Sequence, residues 1–447
     1  MRRKLSAMLL AVSLVFGCTG CGSEPNQRKE AEQSGAEQDG TEEAESQEDA
    51  VQSASDGEKV ITMWSVATEG SATANGVAKA IETYESNHPG VRIKHETFEN
   101  EAYKTKIRTA IAANEVPDIF FAWFGAWSEP FVDAEKVLNL DDYYADFSEE
   151  ITQETLSYAT FDGSLYGVPS STPISVLYYN KALFEEYGVK VPATADEFLQ
   201  ACQTFTDNGV PALSTSVKEN WVLAMLFDAL QLHATGPEDA AKAVTRNGGD
   251  YNDPGFLQAA QMLRDLIDMG AFIEGVTGFS GDEANQAFID GKTAMYVQGS
   301  WLAGSIQNGA ENPDDFDLVP VPVLNPERAS EHDFMGGAAE GFMVAADVED
   351  PAVVANAVFE ISRSISENCY LDGSALPAWK VNYDDSQVPP MIRKLAAYSA
   401  EATSYTVWFN VLMTADDTEE YFDLTDQLFV GNITPEQYVE SLADYLK

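Results

Sequence analysis

From position 59 onward, apolar residues alternate over a few positions, recur every three or four, then alternate again. Lys59–Ser65 (KVITMWS) is rich in β-branched and aromatic residues behind a Gly-containing stretch, which predicts a short buried strand. Val77, Ala80, Ile81 and Tyr84 mark one face of a helix over Thr73–Asn87 that stops before Pro89. Val91–His95 alternates as a second strand, Tyr103–Ala113 forms a second helix ending at Asn114, and Pro117–Phe121 is a third strand. Strands and helices alternating at such short spacing imply parallel pairing with helices layered on the sheet, an α/β fold.

The middle of the chain changes rhythm. A turn-rich entry, Gly163–Pro169, precedes a buried strand at Val176–Lys181. Helices follow at Thr194–Thr206, Trp221–Gln231, Pro254–Met269 and Ser280–Ile289, the last opened by the capping pair Ser280 and Glu283. Lys292–Gln298 is a strand that runs into Gly299-Ser300-Trp301. After Phe316–Val323, the pair Gly336-Gly337 leads into Gly341–Val344 and a helix over Pro351–Ser364. The last helix opens at Thr434 with Pro435 in its first position.

The chain's beginning carries a different pattern. Arg2, Arg3 and Lys4 precede an apolar run from Leu5 to Phe16, too short to span a bilayer, and Thr19-Gly20-Cys21 closes it. Residues 1–21 are thus expected to be a bacterial lipoprotein signal with its lipobox, Cys21 being the lipidated residue and Cys18 the alternative. Residues 22–57 are acidic and polar, without an aromatic residue, and cannot bury enough apolar surface to fold; they are expected to be a disordered tether.

Composition narrows the possibilities. Beyond the tether, roughly 390 residues exceed what one hydrophobic core usually fills, so two lobes are expected. A net charge of −47 rules out a nucleic-acid surface, which needs a basic stripe. Four scattered His lack metal-site spacing, and no cofactor or metal is expected. Cys202 and Cys369 read as free buried thiols.

Several short stretches, each weak alone, fall in a shared order over nearly the whole folded chain: Ile61–Ser65, Pro117–Phe121, Asp162–Pro169, Tyr179-Asn180-Lys181 with Phe184, Pro192-Ala193-Thr194, Phe288 with Gly291–Met295, Gly299-Ser300-Trp301, Pro320-Val321-Pro322 and Phe429–Glu436. In this order, behind a lipobox, the chain resembles the family 1 extracellular solute-binding proteins, the sugar-capturing lipoproteins of ABC importers. The resemblance implies a two-lobe periplasmic-binding-protein-like (type II) α/β fold with hinge crossings and an inter-lobe cleft. The crossings would fall near residues 170–175, 334–341 and 371–380. The first lobe would take residues 58–170 and 338–375, the second 171–337 and 376–447. The implied protein is a non-catalytic, monomeric carbohydrate receptor, lipid-anchored outside the cell and partnered by ABC permease subunits.

A sugar has apolar C–H faces and a rim of hydroxyls, so its site needs flat aromatic surfaces edged by polar groups. Trp64 ends the first strand, where ligands sit in open α/β sheets, and Glu69 follows in the next loop. Trp123 and Phe124 end the third strand in the same way. Trp301 is the foremost candidate platform; Asn220 with Trp221, Trp379 and Trp408 complete the aromatic candidates, whereas Trp127 is expected to be a packing residue. Asp118 has two open readings, ligand contact or loop hydrogen-bonding, as has Gly337, ligand approach or hinge. Two other functions suit such residues: a polyamine-binding protein, with carboxylates around Trp and Tyr, and a secreted glycosidase, which lacks any supporting motif.

Overall fold

The computed structural model describes residues 58–380 and 385–446; Cys18, Cys21 and the tether lie outside them. The strands are β1 (Lys59–Ser65), β2 (Val91–Thr97), β3 (Ile119–Trp123), the hairpin β4 (Thr160–Phe161) and β5 (Ser164–Leu165), β6 (Gly167–Pro169), β7 (Ser175–Asn180), β8 (Met295–Gly299), β9 (Phe316–Val319), β10 (Asp333–Met335), β11 (Glu340–Val344) and β12 (Ser404–Thr406). A five-stranded sheet runs in the order β2-β1-β3-β11-β6, and a three-stranded sheet runs β8-β7-β9. Each sheet anchors one of two α/β lobes.

In the first lobe β1 pairs in parallel with β2 and β3, as the alternating pattern predicts. β11 and β6 complete the sheet antiparallel, which no local pattern signals. Ile61 and Met63 point from one face of β1 into a buried cluster that also takes residues of the helices Ala74–Asn87, Asn100–Ala113 and Pro351–Asp372. Gly76 lets the first and last of these helices touch: a Cβ there would lie 2.3 Å from Cys369 Sγ. Helix Asn100–Ala113 is capped by Glu99, which accepts the N–H groups of Glu101 and Ala102, and ends at Asn114 in the left-handed conformation.

The second lobe is built around helix Asn220–Thr235, buried on every side from Val222 to Thr235. Its expected neighbours at Ala195–Asp207, Pro254–Asp268 and Gly281–Ile289 are present, the last with the Ser280–Glu283 capping box. Helices Pro237–Val244, Pro390–Ala400 and Ala415–Val430 add to those read from the sequence. Cys202 and Cys369 are buried free thiols.

Three chain segments cross between the lobes side by side. Residues 170–174 link β6 to β7 and lie in the middle. On one side Gly337 N–H donates to Pro173 O at 2.9 Å and Gly336 bridges Ile174; on the other Thr172 N–H donates to Leu376 O at 3.0 Å and Ser171 bridges Pro377. Gly336, at φ 140°, sits so close that a Cβ would be 2.1 Å from Pro173 O. The expected second-lobe segment from 376 needs one correction. Trp379 and Lys380 return to the first lobe, Trp379 donating its indole N–H to Pro169 O at 2.9 Å and Lys380 its backbone N–H to Glu150 O at 2.9 Å.

Asp228 stands alone as a carboxyl within the apolar helix Asn220–Thr235, accepting the Tyr421 hydroxyl and the Phe409 N–H. Burial pushes its carboxyl up to about 7, with the two hydrogen bonds opposing. A raised carboxyl costs little while protonated and destabilises the fold increasingly as pH rises from the ordinary carboxylate range through that value. In urea unfolding, the wild type should therefore lose about 2–3 kcal/mol more stability between pH 5 and pH 8 than Asp228→Asn does. Parallel pH dependence in the two proteins would contradict this assignment.

Candidate functional site

A cavity of about 330 Å³ lies between the lobes, walled by residues from both. Strand ends and helix starts supply its wall. The end of β1 and the loop after it bring residues 65–68 and 70–73 to it, with the start of helix Ala74–Asn87 behind. β3 ends in Trp123, and a single helical turn, Gly125–Trp127, adds Trp127. From the second lobe come Trp221 at the start of its helix, Trp301 just after β8, and Trp408.

The tryptophans form two groups. Trp123 and Trp127 meet edge to face at 5.1 Å and 74°. Trp301 stands between Trp221, at 6.4 Å and 56°, and Trp408, at 5.7 Å and 57°. No pair is parallel, so the rings do not cover one another's faces as in a stack. Glycine makes room for the central ring: a Cβ on Gly299 would lie 2.3 Å from Trp301 ring atoms. Trp408 is fixed through its indole N–H, donated to Ser175 Oγ at 2.9 Å. Asp228, by holding Phe409 N–H, fixes the turn that carries Trp408, Asn410 and Val411 to the wall.

Polar groups fill the spaces between rings. Glu340 opens β11 directly opposite Trp123 and accepts Ser171 Oγ–H at 3.1 Å. It lines the cavity while only partly exposed, and burial pushes its carboxyl up to about 7. Glu219 is also raised, chiefly by burial, with Glu101, Glu99 and Asp282 adding repulsion and the Gly281 N–H opposing. Lys104 pairs with Glu101 at 2.6 Å and lies 5.3 Å from the Trp123 ring. Four buried polar atoms of wall residues have no protein partner: Ser71 Oγ, Asn100 Oδ1, Trp221 Nε1 and Asn285 Oδ1. Buried groups of this kind are costly wherever they occur, and ten more lie away from the wall.

Of the residues read as candidates, Trp123, Trp221, Trp301 and Trp408 line the cavity. Seven do not. Trp64 projects from β1 on the face opposite Met63 and Ser65, against Phe98 at 5.3 Å, with Lys106 Nζ 4.3 Å from its ring; the wall begins at its neighbour Ser65. Glu69 is exposed, although Thr68 and Gly70 beside it line the cavity. Asp118 accepts both the N–H and the hydroxyl of Thr62 at 2.7 Å, joining β1 to β3. Phe124 is fully buried, its ring filling the space over Gly167. Asn220 donates to Asp426 at 2.8 Å and holds its helix to Ala415–Val430. Gly337 belongs to the crossing, and Trp379 packs beneath it in the first lobe, edge-on to Phe147. Trp127, expected to be a packing residue, packs edge-on to Phe131 and also lines the cavity, as do Asn100, Asn285, Asn410 and Glu340. Glu340 was visible as the one charged residue between Gly337 and Val344, but its place beside Trp123 depends on long-range pairing.

Two lobes, crossings that join them and an aromatic cleft between define a solute-binding protein. The model of the bacterial extracellular solute-binding protein family matches residues 79–359, and the chain belongs to that family. A solved structure from a study of xylan utilization by the thermophilic bacterium Caldanaerobius polysaccharolyticus is 32% identical, with a TM-score of 0.83 over 87% of this chain and 100% of that one. A chitin oligosaccharide binding protein shares the fold, with a TM-score of 0.78 at 22% identity over 87% of this chain and 98% of that one. Among curated relatives, the multiple sugar-binding protein of Streptococcus mutans is 26% identical over 51% of this chain and 55% of its own length. The chain spans about half the length of the curated relatives it matches.

Placement of Trp301 over Gly299 is open to test. Gly299→Ala should fold but displace the ring, changing the near-ultraviolet circular dichroism of the tryptophans and costing about 1–3 kcal/mol of stability. An unaltered spectrum would mean that the ring does not rest there.

Proposed function

We propose that this protein is an extracellular carbohydrate receptor of an ABC importer, which captures an oligosaccharide between its lobes and delivers it to membrane permease subunits without chemistry of its own. The observation carrying this reading is the pairing of aromatic walls from opposite lobes with polar side chains along the same cavity, among them Glu219, Asn285, Glu340 and Asn410. Rings suit the C–H faces of sugars, and these donors and acceptors suit hydroxyls. The naming of the Streptococcus mutans relative and the xylan context of the 32% identical structure support a sugar, with xylo-oligosaccharides first to be tried. The lobes divide near the crossings, residues 58–170 and 338–375 against 171–337 and 376–447, with 378–380 reassigned to the first. The receptor acts as a monomer, tethered through residues 22–57 to a lipid on Cys21, or alternatively Cys18, at the outer face of the cell membrane.

A sugar touching both walls makes more contacts when the lobes close, and only such a difference in affinity can shift an open–closed balance. Thermal-shift screening against xylotriose, xylotetraose, maltotriose, raffinose and chitotriose, with spermidine as the cationic control, should show stabilisation by a sugar. Stabilisation by spermidine alone would replace this reading with a polyamine receptor. Trp301→Ala should weaken the sugar identified by about 2–4 kcal/mol in calorimetry while unfolding normally. Unchanged affinity would remove Trp301 from the site. For the anchor, Cys21→Ala should shift the protein from the membrane fraction to the medium of expressing cells, and retention would point to Cys18.

A further inference from the structure

The polar part of the cleft wall is unbalanced in charge. Glu99, Glu219, Asp282 and Glu340 line it, while Lys104, the one basic residue among its described lining residues, is already held by Glu101 at 2.6 Å. The wall is also rich in acceptors. Two of its unpartnered buried atoms, Asn100 Oδ1 and Asn285 Oδ1, accept rather than donate.

Glu340 concentrates both properties. It lies beside the Trp123 platform at the root of the cleft, where the crossing segments meet the large sheet. Ser171 Oγ–H donates to one of its oxygens at 3.1 Å, and a carboxylate has room for about three further donors. Ligand hydroxyls supply such donors. A ligand carboxylate supplies none, and it brings a like charge into a site where protein has replaced most of the water that would screen it. The rise of the Glu340 carboxyl to about 7 reflects the same poverty of solvent. Glu219 plays a parallel part on the other lobe: burial and its acidic neighbours already resist its ionisation, and one more anion would add to that resistance.

We propose that Glu340 and Glu219 make this cleft selective against anionic sugars, so that it takes neutral oligosaccharides and turns away those bearing a uronic acid. The inference rests on the sugar reading above and narrows its ligand class. At an effective dielectric near 20, one like charge within about 6 Å is worth on the order of a hundredfold in affinity.

Two shape-matched pairs separate charge from fit: glucuronosyl-xylotriose with its carboxyl-reduced glucosyl form, and trigalacturonate with galactotriose, its carboxyl-reduced form. Calorimetry on the full chain at pH 8 and low salt, where Glu340 is ionised, should find the neutral member of a bound pair at least about thirtyfold tighter. Glu340→Gln and Glu219→Gln should each shrink that ratio at least about threefold, whatever each does to the affinity for the neutral member, and added salt should shrink it too. Equal affinity within a bound pair, or a ratio that neither variant changes, overturns the selectivity while the sugar reading stands. Failure of every neutral sugar in the screen and in these pairs overturns the sugar reading, and this inference with it.

Discussion

Everything else in this molecule hangs on three strands of chain hydrogen-bonded side by side between two separate cores. The middle one, residues 170–174, is bonded on one flank to Gly336 and Gly337 and on the other to Leu376 and Pro377. Such a ribbon is only a few residues long, so small changes in its backbone angles swing whole lobes, yet its lateral bonds keep the three segments moving together. Close approach is achieved by removing side chains, as Gly336 against Pro173 and Gly341 against Val168 show. The cleft exists because the ribbon joins the lobes along one edge and leaves the opposite edge open. Glu340 and Ser171 stand where ribbon and cleft meet, so a group that lines the cleft is bonded directly to the crossing.

The cleft combines two kinds of incompleteness. Its tryptophans meet at steep angles, leaving ring faces that no neighbouring indole covers, and its buried polar atoms include several without a partner. A protein core satisfies its polar groups and packs its rings; a wall that does neither has been left open for something else. The scaffolding behind it is held by specific contacts. Asp118 clamps β1 to β3, Phe124 fills the space over Gly167, and Trp379 ties the third crossing to β6.

That contrast explains which features could be read from the amino-acid order. Alternation and helical spacing located β1, β2, β3 and the helices around them because those signals are local, and the Ser280–Glu283 and Thr434–Gln437 caps mark their helix starts within four residues. Antiparallel insertion of β11 beside β3 unites positions more than two hundred residues apart and leaves no local trace. For the site, residue type pointed to tryptophans at strand ends, of which Trp123 and Trp301 line the cavity, but could not give the face on which each one emerges. Trp64 fails by one position: along β1 successive side chains alternate sides, which sends Trp64 to Phe98 and Ser65 to the cleft. Trp127 packs as its type suggests, yet the turn at Gly125 also brings it onto the wall; that glycine, at φ +76° and close to Val411 O, adopts a conformation its neighbours would resist.

Charge sets the remaining condition on closing such a cleft. Glu219 on the second lobe is repelled by Glu99 and Glu101 on the first, which means that approach of the empty walls brings like charges together. Aromatic surface acts in the opposite sense, because bringing Trp123 and Trp127 toward Trp301 across a ligand removes apolar area from water. Without ligand, the unpartnered atoms of Ser71, Asn100, Trp221 and Asn285 gain nothing from being enclosed, and enclosure strips away the water that could serve them. A ligand that covers the rings and supplies hydroxyls reverses both penalties at once, converting a cleft that resists closure into one that favours it. Coupling between occupancy and shape then needs no dedicated trigger residue. It follows wherever one ligand covers rings and polar groups that both lobes present.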